Sequence, residues 1–420
     1  MSSGRHRVLF VTYGGGHVNM VIPLIKALQA REDYEVHVLG LTTAYQVLKA
    51  EGIEALGYVD LICSSDQRAI EVGAKLTQET SSHPLVSQAE SRAYLGLNYQ
   101  VLEERYGENK AAERYQQLGR KSFYPLSILK RLLLKIEPQL VVATNSPRSE
   151  KAAIDAATEL GIPSICLVDM FATQDIRWIG QPGYASRICV LSESVKQKFI
   201  EAGRHHDEVV VTGNPAFDRL KEKSAEFDRQ QYRLDRGWSQ DDKVILWASG
   251  IEPSTHPATD EQGDPELPRK IEKILETMVG QEPNLRAVFR SHPNDTYLPI
   301  PSSKRVELSF SDEDLFELIS ACDCVIVMAS TVGLQAALLR VPLISIRLSI
   351  LSFIMPYDEL GWALGVRQLE DLPGAIRRSL MGQVNYRGLP EYGHARDKVF
   401  EVIAELLEIP PQVIRESCDA

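Results

Sequence analysis

The stretch that most restricts what this chain can fold into is residues 5–28, RHRVLFVTYGGGHVNMVIPLIKAL. Residues 8–12 are apolar and largely β-branched, which suits a buried strand, and apolar residues of helical period resume after three glycines. The stretch therefore predicts a strand, a tight turn and a helix. Gly14, Gly15 and Gly16 permit positive φ and close approach to the backbone. The helix start beyond them offers unpaired N–H groups and partial positive charge. His17 stands at that mouth, so the turn is expected to form one lip of a cleft.

The same grammar recurs along the chain. DYEVHVLGLTT at 33–43 alternates Val36 and Val38 with polar residues and predicts a second strand one helix-length on, giving a right-handed parallel unit. Residues 45–51 and GIEALGYV at 52–59 predict another short helix and strand, and 64–118 reads as polar and helical, without nameable chemistry. A helix from Ile128, a strand at 140–144, the helix SEKAAIDAATELG, the strand SICLVDM, a helix capped by Ser192 and the strand VVVTGNP complete the first series. The turn Gly213, Asn214, Pro215 and the polar run behind it mark a boundary. A second series begins at Lys243 with KVILWASG, again ending in small residues, and continues through RAVFRSHP, RVELSF, CVIVMAS and LISI. Between these strands, SDEDLFELISACD predicts a helix with Ser311 as cap and Asp314 in the capping-box position, and TVGLQAALLRVP predicts another. A long amphipathic helix at 391–408 closes the chain and is expected to cross back between domains.

At 420 residues the chain exceeds one ordinary core. The two series predict an α/β protein of two doubly wound Rossmann-like domains facing a cleft: 1–216, a linker at 217–241, and 242–420. A hydrophobic fraction of 44% and a charged fraction of 25% exclude wholesale disorder, and the net charge of -11 argues against a nucleic-acid partner. No apolar run spans a bilayer, since LISIRLSILSFIMP is broken by Arg347 and closed by Pro356, and MSSGRHR lacks a secretion signal's apolar core. A cytoplasmic protein is expected. Lys130, Arg131 and Lys135 read either as the solvated side of a surface helix or as a patch for anionic lipid headgroups, a peripheral contact at the membrane's inner face. The scattered cysteines read as reduced core residues, Cys322 and Cys324 being too close for a zinc pair. Asp241 with Asp242, and Asp312 to Asp314, precede a strand and open a helix, so no metal is expected.

Ligands of open parallel sheets sit beyond the carboxyl ends of the strands. In the second series that edge carries Ser249 and Gly250, then Arg290, Ser291 and His292, then Ser330, Thr331 and Gly333. Hydroxyls, a glycine, an arginine and a histidine together suit a phosphate, although Ser330 alone reads equally as a helix cap. In the first series His17 suits a general base or a hydrogen-bonding group. Asp169 and Asp175, after a strand of the same domain, could orient it or act as the base themselves; either could equally cap a turn.

With these residues in view, the arrangement resembles the GT-B superfamily, which includes nucleotide-sugar glycosyltransferases and the UDP-N-acetylglucosamine 2-epimerases. The GGGH turn resembles the glycine-rich loop of transferases of the lipid II-forming type, while VTGNPAFDRL and STVGLQAALLRVPLISI resemble stretches of both transferases and epimerases. SHP at 291–293 with Ser330 and Thr331 is similar to the HP and S/T pair of capsule and sialic-acid-type transferases, which meets the donor's phosphate. Epimerases of this fold carry an arginine in the first loop and an aspartate in the segment that here reads ATNSPRSEKAA; this chain has Gly14 to Gly16 and Asn145. A ribose-contacting glutamate of many relatives falls at Gln335, Ala336 and Ala337.

The resemblance implies a metal-independent glycosyltransferase without a cofactor, acting in polysaccharide, glycolipid or glycoconjugate synthesis. Its donor would be a UDP, CDP or CMP sugar, held by Ser249, Gly250, Arg290, His292, Ser330, Thr331, Gly333 and Gln335 in the second domain. Its acceptor, a sugar or lipid-linked sugar, would meet Gly15, Gly16 and Asn19, with His17, Asp169 and Asp175 catalytic. The alternatives are a 2-epimerase-like sugar-nucleotide epimerase or hydrolase, and a non-catalytic sugar-nucleotide binding protein.

Overall fold

The computed structural model describes residues 5–79, 83–256, 259–292, 294–295, 297–310, 312–382, 386 and 388–408. These divide into two units, Met1–Ala216 with His394–Ala420, and Phe217–Gly393.

The first unit runs β1 (His6–Thr12), α1 (Gly16–Gln29), β2 (Tyr34–Gly40), α2 (Ala44–Ala50), α3 (Gln67–Glu79), α4 (Gln88–Tyr106), α5 (Glu108–Leu118), α6 (Leu126–Ile136), β3 (Leu140–Thr144), α7 (Ser149–Glu159), β4 (Ser164–Leu167), α8 (Ile176–Ile179), β5 (Arg187–Val190), α9 (Glu193–Glu201) and β6 (Val209–Val211). Its strands form a parallel sheet in the order β2-β1-β3-β4-β5-β6. The chain steps from β1 to one side for β2 and returns to the other for β3. That reversal, at the carboxyl ends of β1 and β3, is where such a sheet leaves room for a ligand.

Both faces of the sheet are covered, which is why β1 and β3 read as unbroken apolar runs. One face packs Val8, Phe10, Leu140 and Val142 against Val21, Leu24, Ile25 and Leu28 of α1. The last helix joins this core through Val399, Val402 and Ile403, whose i, i+3, i+4 spacing makes one apolar stripe. α3 and α4 cross at Gly73 and Gly96, where a Cβ on Gly96 would lie 1.9 Å from the Ala69 carbonyl oxygen.

The second unit runs α10 (Arg219–Glu226), α11 (Arg229–Asp235), β7 (Lys243–Ala248), α12 (Leu267–Gln281), β8 (Leu285–Arg290), β9 (Val306–Ser309), α13 (Leu315–Ala321), β10 (Cys324–Val327), α14 (Val332–Leu338), β11 (Leu343–Ile346), β12 (Leu364–Val366) and α15 (Leu372–Leu380). Its parallel sheet has the order β12-β11-β10-β7-β8-β9, so the reversal falls between β7 and β10. Ile245 and Trp247 pack there against α12 and α15. Then α16 (Ala395–Leu406) returns to the first unit.

Several expectations are corrected. Residues 217–241, expected as a linker, fold as α10 and α11 within the second unit, where buried Arg233 donates to the carbonyl oxygens of Ala321 and Asp242 at 2.8 and 2.6 Å. Strong helix formers and a bifunctional guanidinium outweighed the polar composition. The terminal helix belongs to the first unit and begins at Ala395 rather than 391. GIEALGYV makes a single bridge, Leu39 to Leu56, and then a short 3-10 turn at Tyr58–Leu61 instead of a strand. Asp314 caps α13, accepting from the Phe316 and Glu317 amides; Ser311 lies outside the described residues. Two of the three basic residues on α6 are spent on ion pairs, Lys130 with Glu159 and Arg131 with buried Asp66 at 2.7 Å, which favours the reading as a surface helix. Among the described residues no helix is long and apolar enough to cross a membrane.

Candidate functional site

The carboxyl edge of the first sheet gathers polar side chains from four strands. After β1, Gly15 takes φ 69°, a conformation that costs an L-residue, and turns the chain into α1. A Cβ on Gly16 would lie 3.0 Å from Asp169 Oδ2, so glycine here is what lets the carboxylate come up to the helix start. His17 follows, with its Nδ1 buried and without a hydrogen-bond partner. The ring of Tyr13 meets it edge-on at 6.4 Å. Asn19 is exposed and, two residues on, points round the helix from His17.

Asp169 follows β4 on a loop in which Met170 and Ala172 hold φ of 54° and 50°, positions that non-glycine residues occupy at a cost and that cluster at functional sites. Asp175 precedes α8. Two buried asparagines tie these acids down. Asn145, directly after β3, accepts from the Asp169 amide through Oδ1 at 2.8 Å and donates through Nδ2 to Asp175 Oδ2 at 2.8 Å. Asn214, after β6, donates to Asp169 Oδ1 at 3.3 Å and accepts from the Ala216 amide at 3.0 Å.

Burial pushes His17 below its ordinary value, opposed by the charges of Asp169 and Asp175. Burial likewise raises Asp169, opposed chiefly by His17, and raises Asp175, opposed by its hydrogen bond from Asn145. Burial thus favours the neutral form of the imidazole and the protonated form of the two carboxyls beside it. A cavity of about 110 Å³ opens on this edge between Tyr13, Thr42, Thr43, Tyr94 and Arg120. A larger groove of about 490 Å³ runs beside edge strand β2, between Val36, Tyr45 and Ile53, and shares none of these groups.

In the second unit, adjacent strands β10, β7 and β8 bring their carboxyl ends side by side. Ser249 follows β7, buried, with its hydroxyl unpartnered. Gly250 leaves only 3.1 Å between a would-be Cβ and the Met328 methyl. Arg290 ends β8 and donates to Ser309 Oγ at 2.9 Å and to the Glu313 carbonyl oxygen. His292 is exposed, its Nδ1 accepting from the Asn294 amide at 3.1 Å.

After β10, Ser330 Oγ accepts from the Val332 amide at 3.3 Å, Thr331 is exposed, and Gly333 and Gln335 lie within α14. Behind them stands fully buried Tyr357, which the sequence did not single out. Its hydroxyl donates to the Ser330 carbonyl oxygen at 2.8 Å and accepts from the Leu334 amide at 3.1 Å. A Cβ on Gly333 would meet the Tyr357 ring at 2.5 Å. Glu252, 3% exposed, accepts from the Ile350 amide at 2.9 Å and keeps its other oxygen buried and unpartnered.

Sequence reasoning passed over Tyr357 because it lies in a loop far along the chain. Asn145 and Asn214 carried a usable signal: Asn145 directly follows β3, and Asn214 lies three residues beyond β6, much as Asp169 lies two beyond β4.

The fold is GT-B-like. Residues 183–350 match the family model described as UDP-N-acetylglucosamine 2-epimerase. Among solved structures, UDP-GlcNAc 2-epimerase from Neisseria meningitidis bound to UDP-GlcNAc superposes with a TM-score of 0.59 at 16% identity, covering 95% of this chain and 100% of that one. The UDP-GlcNAc 2-epimerase from Methanocaldococcus jannaschii gives 0.61 at 14% identity, covering 95% and 99%. The glycotransferase of kitacinnamycin gives 0.56 at 15% identity, covering 97% and 100%. No curated protein matches the sequence. These findings overturn the expected glycosyltransferase: the matching family model and the 2-epimerase structures favour the alternative, and Gly14 to Gly16 and Asn145 do not outweigh them.

Proposed function

We propose that the protein is a sugar-nucleotide epimerase or hydrolase of the UDP-N-acetylglucosamine 2-epimerase type. The observation that carries the reading is the match of residues 183–350 to that family model. The solved 2-epimerase bound to UDP-GlcNAc adds the substrate class.

The chemistry sets a requirement that the first unit suits. C2 of a 2-acetamido sugar nucleotide has no neighbouring carbonyl to acidify its hydrogen. Inversion there proceeds most simply by taking the C2 proton while the C1–O bond breaks, so that UDP leaves and a 1,2-unsaturated sugar remains. Returning a proton to the opposite face of C2 and an oxygen nucleophile to C1 completes the reaction. That nucleophile is UDP in an epimerase and water in a hydrolase. Two proton-carrying groups are needed, one for each face.

His17, whose burial favours the neutral imidazole, is the acceptor in this reading, and the Asp169 and Asp175 carboxyls, whose burial favours the protonated form, are the proton source. Asn145 and Asn214 orient them. In the second unit, Ser249, Gly250, Arg290, His292, Ser330, Thr331, Gly333 and Gln335 are the proposed nucleotide holders, fixed donors such as the Arg290 guanidinium balancing the leaving diphosphate. Gly15 and Gly16 allow the sugar to approach the backbone.

The test is incubation with UDP-GlcNAc in D2O, followed by proton NMR. Deuterium at C2 together with the 2-epimer, with or without UDP release, supports the reading. Unchanged substrate at micromolar enzyme over hours refutes it.

A further inference from the structure

Asn145 uses both ends of its side chain at once. It is 4% exposed, its Oδ1 takes the Asp169 amide hydrogen, and its Nδ2 donates to Asp175 Oδ2, each at 2.8 Å. We propose that Asn145 is a positioning residue, the clamp that holds the Asp169 loop and the Asp175 carboxylate against His17. The proposal rests on the reading of those three residues as the proton-transfer set.

Only an amide fits both contacts. An aspartate keeps an acceptor for the Asp169 amide, but its second oxygen would face Asp175 Oδ2 with no hydrogen between them. A serine is too short to bridge both. The loop needs the anchor, because Met170 and Ala172 hold left-handed φ directly behind Asp169. Asn214 cannot substitute, since its amide is spent on Asp169 Oδ1 and its oxygen on the Ala216 amide.

His17 is the reporter. The groups that face it are Asp169, Asp175 and the edge of the Tyr13 ring, and Arg177 acts on Asp175 in turn. Both N145D and N145S lose the N–H that Asn145 gives Asp175, which makes Asp175 easier to protonate and removes negative charge; N145D also brings a carboxyl of its own, whose charge favours imidazolium.

The experiment is an NMR titration of His17 in the full-length protein without substrate, for wild type, N145D and N145S, alongside pH-rate profiles with UDP-GlcNAc. The expected result is a His17 midpoint that falls in N145S and that lies higher in N145D than in N145S. In both variants kcat drops about a hundredfold, with Tm reporting that the fold persists. Should N145D fail to fold, the fall in N145S still decides. An N145S midpoint that stays at the wild-type value, or a kcat that rises in N145D, overturns the clamp. If wild-type protein does not act on UDP-GlcNAc, the functional reading falls while the titration still judges Asn145.

Discussion

Glu150 lies in the first turn of α7, 1% exposed, with the Thr144 hydroxyl donating to its Oε1 at 3.3 Å. A helix start favours a carboxylate, yet burial dominates and pushes the group from 4.5 up to about 7. The folded protein therefore binds this proton more tightly than the unfolded chain does. The stability it supplies is whole below pH 4.5 and is lost as pH rises through about 7. At about 1.36 kcal/mol per unit, a rise from 4.5 to about 7 amounts to about 3 kcal/mol across that window. Glu150→Gln keeps the oxygen that accepts from Thr144 and removes the titration. Urea unfolding of both proteins from pH 4 to 8, followed through the transition of the first unit, measures the effect as a difference, so that Asp169, Asp175 and other acids common to both cancel. The variant should gain about 3 kcal/mol on wild type between the acid and alkaline ends of that range. Parallel stability curves would show that the Glu150 site is wetter or better solvated by dipoles than its burial implies, and would sink the reasoning.

Other perturbations follow from the same contacts. Tyr357→Phe removes two hydrogen bonds, to the Ser330 carbonyl and from the Leu334 amide, which keep their partners in the Gly333 amide and the Thr331 carbonyl, and should cost about 1–3 kcal/mol in denaturant unfolding of the second unit. Gly96→Ala drives a methyl into the Ala69 carbonyl where α3 crosses α4, so hydrogen exchange in α3 should accelerate at least tenfold in spite of alanine's better helix propensity. Arg290→Ala should abolish the rise in Tm that saturating UDP gives wild type, about 2.7 kcal/mol of stabilisation at 100 times Kd; an undiminished rise removes Arg290 from the nucleotide site.

Much of the site's raw material was visible in one dimension. Strand ends can be read from apolar runs that stop at Gly, Ser, Asn or Asp, and topology puts all such ends on one edge of a parallel sheet, so His17, Asp169, Ser249 and Ser330 stand out by position alone. Nothing local says that Asn145 bridges Asp169 and Asp175, since those residues are 24 and 30 positions away. Tyr357, 27 residues beyond Ser330, is equally silent until the loop after β11 folds back. The polar run at 217–241 misled for a related reason: Arg233 satisfies a carbonyl oxygen 88 residues on, and composition does not record a partner.

The sequence by itself determined the repeating strand, turn and helix, the two parallel sheets and the GGGH turn that opens the first of them. Period, propensity and glycine are local properties, written within a dozen residues. Only the tertiary structure decided that α16 joins the first unit's core, that α10 and α11 belong to the second, and that burial lowers His17 beside Asp169 and Asp175. Burial and hydrogen bonding between distant segments are set by packing, and packing alone moves a proton's affinity from its ordinary value.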